Sequence, residues 1–110
     1  MIYSDGFDSI AENEYKLLDL DDSIEDLESQ KRHIENELRM QIEIKAEDKA
    51  SGLTNEKKRQ IAYEVLADCN EELQGIIVNL RDERREQKRL RIIIGNEQRA
   101  FQMRISEAKV

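Results

Sequence analysis

The chain has 110 residues, no proline or tryptophan, 39% charged and 5% aromatic side chains, and a formal net charge of −7. That is one domain's length with too little apolar bulk for an ordinary compact globule; the regular apolar spacing described below points to long solvated helices rather than disorder. The acidic balance disfavours indiscriminate nucleic-acid binding, and a single cysteine, Cys69, excludes an intrachain disulfide framework and fits a reducing cytoplasm.

The first residues, Met-Ile-Tyr-Ser-Asp-Gly-Phe-Asp, have neither the basic region nor the apolar core of a signal peptide. Residues 1–7 read as a flexible lead-in. Asp5, Asp8 and Ser9 are candidate N-caps, and Ser9 with Glu12 has capping-box spacing. A first helical arm is expected over 8–50. Ile10, Leu17, Ile24 and Leu38 share one heptad position, interrupted by Lys31. Leu20, Leu27 and Ile34 share the other, with Asn13 and Gln41 at its ends. This is a coiled-coil stripe. Past Leu38 it drifts to Ile42 and Ala46.

Ser51-Gly52-Leu53-Thr54-Asn55 is the clearest break. Gly52 permits the left-handed conformation that ends a helix, and Thr54 is the expected N-cap of the next. Lys45 and Lys49 suit the end of the first helix and Glu56 the start of the second, by the helix dipole. The turn (51–54) folds 8–110 into one antiparallel hairpin domain. Charge supports this: residues 1–28 hold ten acids and one base, whereas 81–110 hold nine bases and five acids.

The second arm is expected over 55–107. Leu66, Leu73, Leu80, Ile94 and Phe101 recur at heptad spacing, with Gln87 between. The companion position holds Ala62, Cys69, Ile76 and Leu90, but also Glu83, Glu97 and Arg104. The seam is therefore wet around Glu83 and Gln87. Such residues set register or partner number, fray the helix, or pair with a facing group. Asp68 or Asn70 can start a fresh helix, giving a kink near 68–70. Helix is expected through Gly95, and Gly75 is expected to allow close helix approach. Ile92-Ile93-Ile94, the longest apolar run, is too short to span a bilayer.

Leu53-Thr54-Asn55-Glu56-Lys57-Lys58-Arg59, a cap about a dozen residues on, then Leu73, Leu80 and a charged heptad helix together resemble a loose family. Its members are small helical coiled-coil proteins encoded by bacteriophages, prophages and some bacterial genomes. The resemblance covers roughly the second half. It implies a mobile-element context and little more; the family carries no established enzymatic activity, and no functional residues transfer from it. Members often carry Asp-Pro at the cap; here Asp68 is followed by Cys69-Asn70-Glu71.

Chemistry is sparse. His33 is the sole histidine, and Glu37 four residues on offers a helical ion pair. The Glu-x-x-His of di-iron bundles fails at Gln30. Asp19-Leu20-Asp21-Asp22 lacks the glycine and distal glutamate of a calcium loop. Cys69 reads as a packed seam thiol with no histidine near it. No catalytic, cofactor-binding or metal residue is expected, and the chain reads as a non-enzyme. Arg81, Arg84, Arg85, Lys88, Arg89 and Arg91 are candidate phosphate contacts. Asp82, Glu83 and Glu86 are interleaved with them, and the acidic first arm should lie alongside as a charge zipper, which argues against nucleic acid.

Ile61, Val65, Ile77, Val78, Ile92 and Ile93 lie outside the stripe. They are the expected interface of a homodimer in which two hairpins form a four-helix bundle, or of an unidentified protein partner. Three functions follow: a protein–protein interaction module, an acidic nucleic-acid mimic that inhibits a host nuclease or defence enzyme, or an accessory nucleic-acid binder. Acids on an outer face, away from the basic arm, would favour mimicry. The expected location is cytoplasmic, with no membrane contact.

Overall fold

The computed structural model describes residues 2–108, with side chains from Asp8 onward. It is all-helical: α1 (Ile2–Glu47), a 3₁₀ turn (Lys49–Ser51), α2 (Glu56–Cys69) and α3 (Glu71–Ala108), with no strand among the described residues. The chain forms two compact units, one of Met1–Glu25 with Arg81–Val110 and the other of Asp26–Leu80.

The start of α1 differs from expectation. Its backbone is helical from Ile2, upstream of the Asp5–Ser9 window. The side chains of the lead-in, Asp5 included, lie outside the described residues. Ser9 is not a cap; its hydroxyl donates to Glu97 Oε2 at 3.0 Å.

In the Asp26–Leu80 unit the chain turns at Gly52, whose φ of 77° is the left-handed conformation expected there. Asp48 caps the preceding 3₁₀ turn by accepting from Ala50 N at 3.0 Å. Asn55, not Thr54, caps α2: its Oδ1 accepts from Lys58 N at 2.9 Å. Its backbone is extended, as an N-cap requires, and its oxygen reaches the third helical amide. Ile34, Leu38 and Ile42 of α1, Tyr63 of α2, and Leu73, Ile76 and Leu80 of α3 form the core. The shift to a spacing of four after Leu38 is thus real packing.

The break between α2 and α3 is complete. Asn70 has φ −82° and ψ 105°, closes α2 with its own N–H on Ala67 O, and caps α3 by accepting from Leu73 N at 2.8 Å. Gln74 Nε2 reaches Ala67 O at 2.9 Å and supplies a donor that the interrupted ladder lacks. An asparagine therefore achieves what proline enforces elsewhere. The break also moves the seam. Asn70 is half-buried and Cys69 is exposed, so the expected packed thiol points to solvent. Gly75 differs too: a Cβ there would meet nothing within 4 Å, so no close approach needs it. Helix does continue through Gly95.

In the other unit Ile10 and Ile24 of α1 and Leu90 and Ile94 of α3 are buried, with Leu17, Leu20, Phe101 and Ile105 half-buried. The two helices run antiparallel, because Ser23 bonds Glu83 while Asn13 bonds Glu97.

Candidate interaction surface

The polar seam residues of the Met1–Glu25/Arg81–Val110 unit find partners across it. Glu97 accepts from Asn13 Nδ2 at 2.6 Å as well as from Ser9. Glu83 accepts from the Ser23 hydroxyl at 2.8 Å and 3.1 Å on its two oxygens. Gln87 Nε2 donates to Asp21 Oδ1, and Gln98 Nε2 to Glu14 Oε1 at 3.3 Å. These are carboxylates facing neutral donors. Those at Asn13, Asp21, Ser23, Glu83, Gln87 and Glu97 satisfy half-buried groups, and all of them fix register without two desolvated charges.

Two of the basic residues pair within their own helix. The ion pairs of Arg81 and Arg89 go to neighbours on α3, not to the acidic first helix. Arg81 Nε is 3.7 Å from Asp82, and Arg89 forks onto Glu86 at 3.0 Å and 2.7 Å. The hydrogen bond from Arg89 holds the Glu86 carboxyl below the usual range, and Lys16 contributes a smaller attraction. Arg81, Arg84, Arg85, Lys88, Arg89 and Arg91 are all exposed. On α1, Asp8, Glu12, Asp19, Asp22 and Glu25 are exposed as well, whereas Asp21 turns to the seam. His33 Nε2 lies 3.1 Å from Glu37, both exposed. No group of three metal-ligating side chains gathers among the described residues.

In the Asp26–Leu80 unit a side-chain cluster surrounds Tyr63, which the heptad reading missed in favour of Ala62. Tyr63 is buried, its hydroxyl donates to Glu35 Oε2 at 3.2 Å, and the Arg39 guanidinium sits 3.9 Å from its ring centre. Burial raises the tyrosine pKa, Glu35 raises it further and Arg39 opposes. The three-residue step from Tyr63 to Leu66 was the available signal. A groove of about 520 Å³ opens beside this cluster, lined by Arg39, Ile42, Glu43, Glu56, Lys57, Arg59, Gln60 and Tyr63. Its lining holds neither histidine, serine nor cysteine.

The second apolar set is uncovered. Ile61, Val65, Ile77, Val78 and Ile92 are exposed, with Ile92 at 57%, while Ile93 is half-buried. They do not share one face. Ile61 and Val65 each lie two residues from buried Tyr63, about 200° round the helix, so they sit on the outer side of α2. Val78 is likewise two residues from Ile76 and Leu80, and Ile92 two from Leu90 and Ile94. Ile77 and Ile93 adjoin buried residues and sit on the flanks. Tyr15, Leu18, Met40, Ile44 and Met103 are also exposed and were not anticipated. Their separation from the stripe by one or two residues was legible.

No family model, curated protein or solved structure matches the chain. No helix among the described residues is long and apolar enough to cross a membrane.

Proposed function

We propose that the protein is a non-enzymatic coiled-coil hairpin that acts through protein–protein contact, with a homodimer as its basic form. The phage or prophage setting implied by the resemblance belongs to this reading. The observation that carries it is the exposure of aliphatic side chains on the outer sides of α2 and α3, Ile61, Val65 and Val78 in one unit and Ile92 in the other. Complete burial of such a side chain contributes about 1.5–3 kcal/mol, so four largely left in water favour a partner helix. Sedimentation equilibrium of the wild type and of a Val65→Lys/Ile92→Lys variant tests it. The wild type is expected above single-chain mass, and the variant at single-chain mass with its circular dichroism unchanged. Equal masses for the two would remove these side chains as the contact. A soluble wild-type monomer would shift the reading to a different protein partner.

The mimic reading has its own support, because Asp8, Glu12, Asp19, Asp22 and Glu25 are exposed on α1. Inhibition of a nuclease that disappears when Asp19 and Asp22 become asparagine and serine would favour it over the interaction module.

A further inference from the structure

The two helices of the Met1–Glu25/Arg81–Val110 unit carry opposite charge on their outer sides. On α1, Asp8, Tyr15 and Asp22 are exposed and follow one another at seven-residue spacing, on the side away from Ile10 and Ile24. On α3, Arg85, Ile92 and Arg99 are exposed at the same spacing, away from Leu90 and Ile94. One line reads acid, aromatic, acid. The other reads base, aliphatic, base. Seven residues are two helical turns, about 10.5 Å, so the lines match in length.

Neither line can pair with its own copy around a two-fold axis. That contact would set acid against acid or base against base, which costs free energy. Acid against base is the complementary arrangement. Glu12 and Arg89 are already engaged by Lys16 and Glu86 on their own helices. The outer charge offered to a neighbour then includes Asp8, Asp19, Asp22 and Glu25 on α1 and Arg85, Lys88 and Arg99 on α3, Arg99 also donating from Nε to Gly95 O at 3.2 Å.

The register inside the unit aligns the lines in advance. Ser23 lies opposite Glu83, Asp21 opposite Gln87 and Asn13 opposite Glu97. Asp22 therefore stands level with Arg85. Ile92 stands level with the stretch between Tyr15 and Leu18, and Arg99 with the stretch between Asp8 and Glu12. A second copy set beside the first by sideways translation brings its basic line onto the first copy's acidic line in that register. Ile92 then seats between Tyr15 and Leu18, with a charge pair two turns away on either side.

We propose that this unit binds a second copy of the chain edge to edge, the line Asp8, Tyr15, Asp22 receiving the line Arg85, Ile92, Arg99. The proposal rests on the self-association reading above, replaces its dimer with a heterologous contact, and shares only Ile92 with the residues named there. The contact is heterologous, so each added copy leaves one acidic and one basic edge free. Assembly then grows with concentration unless the rotation closes a ring.

Charge reversal tests this. Asp8→Lys/Asp22→Lys makes both edges basic, and Arg85→Glu/Arg99→Glu makes both acidic. Each variant alone should stay at the single-chain mass of 13.0 kDa with wild-type circular dichroism. Their mixture should regain assembly, because each then supplies the edge that the other needs. The wild type at about 20 mM salt should show at least about twofold the single-chain mass, falling back at about 500 mM, where charges are screened within a few ångströms. Two outcomes overturn the proposal differently. A wild type that associates while ignoring both reversals, or folded variants whose mixture stays monomeric, overturns the edge contact and leaves self-association standing. A wild type at single-chain mass under all these salts overturns self-association itself.

Discussion

Tyr63 shows how much a single side chain settles locally. It is one of the few aromatics in the chain, and it lies beneath Arg39 with its hydroxyl on Glu35. Folding raises its pKa above the ordinary value near 10, first through burial. The sign follows. The folded state holds the neutral phenol more firmly than the unfolded chain does, so the contribution is complete below the unfolded pKa. It is lost as pH rises through the folded one. Tyr63→Phe is expected to cost about 1 kcal/mol in urea titrations near neutrality, the worth of one hydrogen bond. The difference from wild type should shrink above about pH 10. A gap that stays constant into strong alkali would show that the hydroxyl is not coupled to folding. Nearby residues were less legible. Thr54 and Asn55 both satisfy the composition of a cap, and only backbone geometry chooses between them; Asn55 takes the extended conformation and reaches Lys58 N. Ser9 looked like a cap because capping boxes are local patterns. Its partner, Glu97, is distant in sequence, and no local rule finds it.

At the scale of elements, periodicity was a good guide to helix and to much of the core. Ile10, Ile24, Ile34, Leu38, Leu73, Ile76, Leu80, Leu90 and Ile94 were all seam positions and all are buried. It failed where the ladder is interrupted. A heptad carried unbroken through 69 and 70 puts Cys69 inside; the extended ψ of Asn70 resets the phase and puts it outside. The cap at Asn70 thus joins two helices that share a core without sharing a hydrogen-bond ladder. Asn70→Ala removes the acceptor for Leu73 N and should cost about 1 kcal/mol, the usual worth of an N-cap. Amide exchange locates the effect: Leu73 should lose protection first, with Leu66 little changed. If the variant instead gains stability and its Cys69 thiol becomes slow to alkylate, α2 and α3 have fused into one continuous helix, and the break is a preference of Asn70 alone.

For the whole molecule, the acid-to-base gradient was legible, but its use was not. It suggested a zipper closed within one chain. The seam contacts at Glu83, Gln87 and Glu97 join carboxylates to hydroxyls and amides, and many acids and bases are exposed. The interface set was legible as surplus apolar residues. Its division between the outer sides and the flanks of α2 and α3 follows from helical phase relative to residues such as Tyr63, and the heptad reading placed Ala62 there. The apolar core is also small, with eleven buried hydrophobic side chains among the described residues. A core of this kind supports limited stability, since ordering each residue costs roughly 1–2 kcal/mol in backbone entropy alone. Association that covers Val65 and Ile92 then becomes part of folding stability rather than an addition to it. Anything that binds only the folded state raises the melting temperature with its own concentration, and here the ligand is the chain itself. A tenfold rise in protein concentration is worth about 1.4 kcal/mol per contact formed. For a domain of about this size, that is several degrees. The melting midpoint of the wild type, followed by circular dichroism over two decades of concentration at low salt, should therefore climb steadily. The Val65→Lys/Ile92→Lys variant should melt at one temperature throughout. A wild-type midpoint independent of concentration would mean that each chain is stable alone, and that the exposed aliphatic side chains await a different protein.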